Sequence, residues 1–236
     1  MKPVMPNQHG AWSMLIIPFG SGVAVGMPSW YHIPLFLAWL FVYLGTYPFL
    51  MYMKQKRKKE HLRWAFIYFT IAAVFGVLAL THEWKIVYAG VFMLPLFLVN
   101  IYFAKKKNER ALFNDISAIL TFCIGGVMSY YFGTGSIDEK AWLVLIICFL
   151  FFMGSTFYVK TMIREKNNST YKWLSWTYHT VLVAGAIFVS PLLAIAFIPS
   201  LIRAVWLYGK KVSVIKVGVL EIANAVYFFF AILYFL

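Results

Sequence analysis

Two pairs of charged or polar residues lie at helical spacing inside otherwise apolar stretches of this sequence. Lys160 and Arg164 are four residues apart, and Glu221 and Asn224 are three apart, so each pair shares one face of a helix. Lysine and arginine side chains suit an anion such as a phosphate, because they form charge-assisted hydrogen bonds with it. Nearby carboxylates orient such cations, or act as acid or base. These residues therefore predict recognition of an anionic ligand, with or without catalysis.

The wider set of candidate ligand-binding residues comes from six predicted helices. It comprises His9, Tyr52, Asn114, Asp115, Lys160, Arg164, Arg203 and Glu221. Asn114 and Tyr52 would add hydrogen bonds, and His9 can carry a proton near neutral pH. We expect these side chains to line a single water-filled cavity that opens to the cytoplasm. The alternative is that they cap helix ends or reach singly into the interface, which the sequence leaves open.

Arg203 and Glu221 lie at matching depths in consecutive predicted helices. Arg203 precedes Tyr208 by five residues, and Glu221 follows Lys216 by five. At a rise of 1.5 Å per residue, each lies about 7–8 Å inside its helix end. The sequence therefore predicts that the two side chains form an ion pair within the membrane.

No metal-binding or nucleotide-binding motif accompanies these residues. The sequence contains no HExxH, GxxxxGK[ST], CxxC or paired-carboxylate pattern. His32, His61 and His82 stand alone in predicted loops, where nothing favours a metal role. Cys123 and Cys148 fall within apolar runs and are expected to behave as small hydrophobic residues. We predict no cofactor.

The elements that position these residues must be transmembrane helices. Hydrophobic residues make up 62% of the chain and charged residues 12%, compared with about 25% charged residues in an ordinary soluble domain. We predict an all-α fold with a single transmembrane domain over residues 1–236. The nine predicted spans are 11–27, 33–53, 64–81, 86–104, 112–133, 141–161, 173–190, 191–208 and 217–236.

The basic residues fix the predicted orientation. Of the 21 lysines and arginines, all but Lys85 and Lys140 lie on the side that holds the N-terminus and the loops after helices two, four, six and eight. The positive-inside rule places that side in the cytoplasm and Leu236 outside. The bilayer therefore explains the net charge of +13, and we predict no nucleic-acid partner.

Four segments resemble the YwiC-like family of bacterial membrane proteins. They are PNQHGAW at 6–12, ERALFND at 109–115, FYVKTMIRE at 157–165 and GVLE at 218–221. The likeness runs over essentially the whole chain, and HGAW is its most specific part. It implies a multi-pass protein of the bacterial cytoplasmic membrane and no particular chemistry.

The predicted architecture also resembles UbiA-type prenyltransferases, which have two four-helix halves and a ninth helix. Their active site lies at the cytoplasmic ends, where Asp-rich motifs on helices two and six hold Mg²⁺. The matching positions here read YPFLMY at 47–52 and KTMIRE at 160–165. Because Mg²⁺ requires oxygen ligands, a site here could hold Mg²⁺ only poorly. The resemblance therefore implies at most a divergent transferase.

Three functions stay open at this point. The first is recognition of a phosphorylated or lipid-like small molecule by the cytoplasmic cavity. The second is a structural or assembly role in the respiratory membrane, which would tolerate loss of Lys160, Arg164 or Glu221 one at a time. The third is a small transporter, which needs polar groups across the membrane, whereas the outer halves of the predicted helices are almost entirely apolar.

The topology can be tested with reporter fusions. We expect fusions after Ser136 and after Leu236 to report an external location, because each follows an odd number of crossings from a cytoplasmic N-terminus. A fusion after Lys107 follows four crossings and should report the cytoplasm. A cytoplasmic signal at either of the first two positions would contradict the nine-span topology.

Overall fold

The computed structural model describes residues 3–6, 9–55, 59–166 and 168–236, and for His9 and Gln55 the backbone alone. Every regular element within these ranges is helical. The helices are α1 His9–Val25, α2 His32–Gln55, α3 Lys59–Leu80, α4 Val87–Lys105, α5 Leu112–Thr134, α6 Glu139–Val159, α7 Ser169–Val189, α8 Pro191–Trp206 and α9 Val214–Phe235. A 3₁₀ turn, Trp84–Ile86, precedes α4, and a π-helical turn, Lys160–Arg164, follows α6 directly.

The predicted all-α membrane bundle is confirmed, and each predicted span has a counterpart among the described helices. Six helical stretches are long and apolar enough to cross a bilayer: His32–Lys54, Lys59–Leu80, Trp84–Lys105, Leu112–Thr134, Glu139–Arg164 and Val214–Phe235. Two further helices, Gly10–Val25 and Pro191–Trp206, are apolar but shorter. The cytoplasmic location of the N-terminus stays a prediction.

Two helices begin four or more residues earlier than the sequence predicts. The third helix starts at Lys59 rather than at residue 64, so Lys59 and Arg63 lie in its first turns and not in a loop. Lysine, glutamate and arginine are good helix formers, and Glu60 interacts favourably with the positive end of the helix. The seventh helix starts at Ser169 rather than at 173, because the Asn168 side chain caps it by accepting a hydrogen bond from the Thr170 amide (3.0 Å).

The predicted turn between helices seven and eight is confirmed at Ser190 and Pro191. Ser190 ends α7, and its hydroxyl accepts a hydrogen bond from the Leu192 amide (3.2 Å) at the start of α8. Pro191 occupies the first position of α8, where the missing amide hydrogen has no helical partner to lose. The two helices are therefore distinct and pack against each other.

The described residues form two compact units, and the single domain over 1–236 stays a prediction. One unit contains Pro18–Leu145 with the chain's first residues, and within it α2 packs against α3, α4 and α5. Its closest helix approach involves glycines of α1 and α5. A Cβ atom at Gly126 would lie 2.7 Å from the Pro18 carbonyl oxygen, and one at Gly22 would overlap the Gly126 carbonyl. Small residues allow this approach, as in other membrane bundles.

The other unit contains His9–Ile17 and Ile146–Leu236. Here α8 packs against both α7 and α9. Phe228 of α9 stacks on Phe151 of α6 with ring centroids 3.8 Å apart, and its ring centroid lies 5.7 Å from that of Phe197 on α8. These aromatic contacts form the apolar part of a seam between α6, α8 and α9, and the seam continues into polar residues described below.

The glycine contact between α1 and α5 gives a stability prediction. Gly22→Ala should destabilise the solubilised protein by about 1–3 kcal/mol, because backbone atoms of α5 occupy the space of the new methyl group. Gly76→Ala on α3 is the matched control, since nothing lies within 4 Å of its Cβ position. Thermal unfolding in detergent measures both. Equal midpoints for the two variants would contradict the close contact.

Candidate functional site

Three charged side chains are buried among the described residues: Lys160, Arg203 and Glu221, with exposed fractions of 4%, 7% and 8%. All three belong to the second unit and to the candidate set from the sequence. Burying an ion in a bundle of apolar helices is costly, and such residues tend to mark functional positions. These three residues are therefore the centre of the candidate site.

Arg203 on α8 is the centre of a hydrogen-bonded group that joins three helices. Its Nη1 donates to Oε1 of Glu221 on α9, which confirms the predicted ion pair. Its Nη2 donates to the hydroxyl of Ser155 on α6 (3.0 Å), and its Cζ lies 4.5 Å from the ring centroid of Tyr158. The depths differ from the prediction, because α8 ends three residues after Arg203 while α9 begins seven residues before Glu221.

A second polar contact lies beside the ion pair. Asn224 Nδ2 donates to the hydroxyl of Ser200 (2.9 Å), and each partner lies three residues from a member of the ion pair, about one helical turn away. The antiparallel helices α8 and α9 thus share two polar contacts at successive turns. Sequence reasoning did not select Ser155, Tyr158 or Ser200, although the spacing of Ser155 and Tyr158 on one helix face was a usable signal.

Several buried polar atoms near Arg203 have no hydrogen-bond partner among the described residues. They are Arg203 Nε, the Tyr158 hydroxyl, Asn224 Oδ1, His179 Nε2 and the Ser175 hydroxyl. An unsatisfied buried polar group costs about 1–3 kcal/mol, so such atoms normally meet water or a ligand. These atoms belong to α6, α7, α8 and α9 of the second unit.

His179 lies in the middle of α7. The earlier start of the helix at Ser169 places it about 15 Å along the axis. Its side chain is buried, and Nδ1 lies 2.7 Å from the Ser175 carbonyl oxygen. A Cβ atom at Gly154 would lie 3.0 Å from His179 Nε2, so the ring packs directly against α6.

Lys160 and Arg164 do not meet in one buried site. Lys160 is buried at the start of the π-helical turn, and its Nζ lies 5.9 Å from the ring centroid of Tyr171. Arg164 ends that turn with an exposed side chain and lines an open surface depression with Glu165 and Asn168. The π-type hydrogen bond from the Glu165 amide to the Lys160 carbonyl (2.7 Å) shows the wider winding, which is frequent at functional positions.

In the first unit, Asn114 is held by other protein groups. Asn100 Nδ2 donates to Asn114 Oδ1 (2.9 Å) and to the Ser117 hydroxyl (2.7 Å), while Asn114 Nδ2 donates to the Glu109 carbonyl (2.8 Å). These bonds join α4 to the start of α5. The helix-capping role that the sequence left open for Asn114 is not seen, because Ala111 is the residue at the helix cap and no side chain caps it. Asp115 lies half-buried in the first turn of α5, where a carboxylate suits the helix dipole.

An ion pair joins α2 to the loop before α5. Lys54 Nζ lies 2.7 Å from Glu109 Oε1, and both side chains are about one-third exposed. Burial raises the pKa of the Glu109 carboxyl. The hydrogen bond from Lys54 and the charges of Lys54 and Arg110 together lower the pKa by more than burial raises it, so the net shift is downward. Tyr52 lies half-buried near this end of α2.

The eight candidates are divided between the two units. Tyr52, Asn114 and Asp115 belong to the first unit, whereas Lys160, Arg164, Arg203 and Glu221 belong to the second. His9 begins α1, and its side chain lies outside the described part. A single cavity shared by all eight stays a prediction.

The predicted isolation of His32 in a loop is wrong. His32 is the first residue of α2 and is buried, with Nε2 2.9 Å from the Ser129 carbonyl oxygen on α5. Its Nδ1 accepts a hydrogen bond from the Ser29 amide (3.1 Å). His61 lies within α3, and the His82 ring stacks on that of Tyr31. The helix ends predicted to face outside thus also contain buried polar contacts, which composition alone did not reveal.

Within the described ranges, no three His, Cys, Asp or Glu side chains gather closely enough to hold a metal ion. The prediction that the protein has no cofactor stays a prediction. The positions that match the Asp-rich motifs of UbiA-type enzymes offer only Glu165 as a carboxylate, and Glu165 Oε2 accepts a hydrogen bond from Asn168 (3.1 Å).

The buried ion pair gives a second stability prediction. Arg203→Met should destabilise the protein by about 3–5 kcal/mol, because it leaves the Glu221 carboxylate buried without its partner. The double variant Arg203→Met, Glu221→Leu should lose much less stability, because it leaves no unpaired charge. Thermal unfolding of the solubilised Arg203→Met, Glu221→Leu and double variants measures these losses, with the exposed Lys211→Met as a control. A double variant whose loss equals the sum of the single losses would show that the pair does not interact.

Comparison with known proteins identifies the family. The family of YwiC-like proteins matches residues 5–130. A Bacillus subtilis protein described as the uncharacterised protein YwiC is 44% identical over 229 residues, which cover 97% of this chain and 96% of that protein. An uncharacterised Haemophilus influenzae protein is 45% identical over 236 residues, covering 99% and 98%. No solved structure matches the chain. With such identity over almost the whole of both chains, this protein belongs to the YwiC-like family.

Proposed function

We propose that this YwiC-like protein is a multi-pass protein of the bacterial cytoplasmic membrane that binds an anionic, phosphorylated or lipid-like molecule at its cytoplasmic helix ends. One observation carries the proposal. The buried charges among the described residues, Lys160, Arg203 and Glu221, all lie toward the helix ends that the positive-inside rule assigns to the cytoplasm. Apolar residues of similar volume would hold helices together at least as well as a buried ion pair, so a purely structural role does not explain these charges.

Buried and exposed side chains have different roles in the proposed binding. Lys160 supplies a positive charge inside the protein, and Arg164 supplies one at the surface. Glu221 holds the Arg203 guanidinium in place and balances its charge. The proposal is one of binding, because the Asp-rich ligands that hold Mg²⁺ in UbiA-type transferases are missing here.

A structural or assembly role is the second candidate function, and one observation favours it. The hydrogen bonds among Asn100, Asn114 and Ser117 are satisfied inside the protein and tie α4 to α5. Some polar residues at the cytoplasmic ends therefore act only in helix packing. Under this alternative, single losses of Lys160 or Arg164 would leave the protein's behaviour unchanged.

Mass spectrometry of copurifying lipids and metabolites tests the proposal. We expect the purified wild type to carry an anionic species enriched over the membrane extract. Lys160→Gln should reduce that species at least tenfold, because it removes the buried positive charge, and Arg164→Gln should also reduce it. Lys211→Gln is the matched control, since Lys211 is an exposed lysine in the loop before α9. The amount of the anionic species that copurifies with Lys211→Gln should equal the amount found with the wild type.

The folding of each variant is verified by size-exclusion chromatography and thermal unfolding in the same detergent. Equal amounts of every anionic species in the wild type and in folded Lys160→Gln would reject the proposed ligand site. That result would instead favour the assembly role.

A further inference from the structure

Lys172, in the first turn of α7, is held by three aromatic rings. Its Nζ lies 4.6 Å from the ring centroid of Trp176, 5.0 Å from that of Trp173 and 5.3 Å from that of Tyr208. The Trp176 ring meets the rings of Trp173 and Tyr208 almost at right angles, with interplanar angles of 75° and 79°. We call these three rings the aromatic cage of Lys172.

The packing of α7 against α8 fixes the cage. Trp176 Nε1 donates a hydrogen bond to the Ala204 carbonyl oxygen (3.1 Å), which orients the ring that the other two rings meet. Tyr208 belongs to the loop that follows α8. A lysine side chain normally loses rotamer freedom when it binds a ligand, and that loss weakens binding. The cage already orders Lys172, so this lysine is preorganised to bind an anion.

The rings attract the Lys172 ammonium group but leave its positive charge unneutralised. Among the described residues, Lys172 has no ion-pair partner. The sequence from 166 to 220 contains no aspartate or glutamate, and its basic residues are Lys166, Lys172, Arg203, Lys210, Lys211 and Lys216. Of these, Arg203 is paired with Glu221. The charge around the cage therefore favours an anionic partner that comes from outside this stretch of the chain.

A second lysine lies over an aromatic ring next to the cage. Lys210 Nζ lies 4.1 Å from the ring centroid of Trp206, and Lys210 follows Tyr208 by two residues, at most about 7 Å of chain. Trp206 ends α8 and begins a line of exposed apolar side chains at helical spacing, which we call the exposed stripe of α8: Trp206, Ile202, Ile198 and Ile195. The stripe thus leads from the apolar interior of the bilayer to lysines at a helix end predicted to face the cytoplasm. Apolar chains that end in a phosphate have this arrangement in a phospholipid.

We infer that the caged Lys172, assisted by Lys210, binds the phosphate of an anionic phospholipid of the cytoplasmic leaflet, with an acyl chain along the exposed stripe of α8. An ammonium group forms charge-assisted hydrogen bonds with phosphate oxygens, and basic residues next to a membrane span attract anionic headgroups. A free phosphate would leave the stripe unused, so the lipid is the better occupant. This site uses neither Lys160 nor Arg164, so the inference goes beyond the proposed function.

Titration of the solubilised full-length protein with phosphatidylglycerol, followed by native mass spectrometry, tests the lysine. We expect Lys172→Gln to weaken binding of the first lipid about tenfold, as for the loss of one charge-assisted hydrogen bond. Lys211→Gln is the matched control, because Lys211 is an exposed lysine in the same loop as Lys210. It should change the affinity little. Equal affinities of the two variants, each with the unfolding midpoint of the wild type, would overturn the inference.

Trp173→Leu tests the cage at constant charge, since it removes one ring beside Lys172 and no ionisable group. We expect this variant to bind phosphatidylglycerol about threefold more weakly, because Lys172 regains rotamer freedom that binding must then remove. Trp142→Leu is the matched control, because Trp142 is an exposed tryptophan at a helix end predicted to face outside. An unchanged affinity in Trp173→Leu would show that charge alone attracts the lipid, which contradicts a preorganised site.

Two further comparisons identify the occupant and separate this site from the proposed function. Glycerol 1-phosphate has the phosphate of the headgroup without acyl chains, and at equal concentration it should not displace phosphatidylglycerol. Displacement would assign the site to a free phosphate and overturn the inference. Loss of lipid binding in Lys160→Gln but not in Lys172→Gln would also overturn it, while supporting the proposed function. Loss in Lys172→Gln alone would support the lipid site even where the copurification experiment rejects the proposed function.

Discussion

An arginine inside a bundle of apolar helices must be surrounded by groups that offset its loss of hydration, and the second unit is organised by that requirement. Arg203 receives a carboxylate from α9, a hydroxyl from α6 and the face of an aromatic ring from α6. The attraction within such a pair compensates the cost of desolvation only when the geometry is good and further hydrogen bonds are made. Three helices therefore meet at Arg203, and α7 is joined to α8 by the hydrogen bond from Trp176 Nε1 to the Ala204 carbonyl (3.1 Å).

The first unit packs its helices without burying a charged side chain among its described residues. Its helices approach through glycines, and its buried polar groups are amides, hydroxyls and an imidazole, such as Asn100, Ser117 and His32. Its ion pair, Lys54 with Glu109, is partly exposed, where a pair contributes only about 0–1 kcal/mol. Polar residues at the helix ends predicted to face the cytoplasm thus have two different roles, and among the described residues those of the second unit include unsatisfied atoms beside a buried charge.

Much of the fold was predictable because the length of an apolar run decides whether a helix can cross a bilayer, and Arg203 and Glu221 stand out against apolar neighbours. Other features depend on information that spacing does not contain. A basic segment such as 59–63 is equally suited to a loop or a first helical turn, and Glu60 in the first turn favours the helix. Periodicity does not separate a π turn from an α turn, so the exposure of Arg164 beside buried Lys160 was missed. The partner of His32 lies 97 residues away, and only the fold brings them together.

The seam between α6, α8 and α9 changes from apolar to polar along its length. The stacked rings of Phe151 and Phe228 lie about one turn beyond Asn224, toward the helix ends predicted to face outside. Close-packed aromatic rings offer a buried charge no hydrogen-bond partner, so a charge would be costly there. The polar groups begin at Ser200 and Asn224 and continue to Lys160. The buried pair of Arg203 and Glu221 therefore lies in the polar part of the seam, where the Ser155 hydroxyl and the Tyr158 ring offset its loss of hydration.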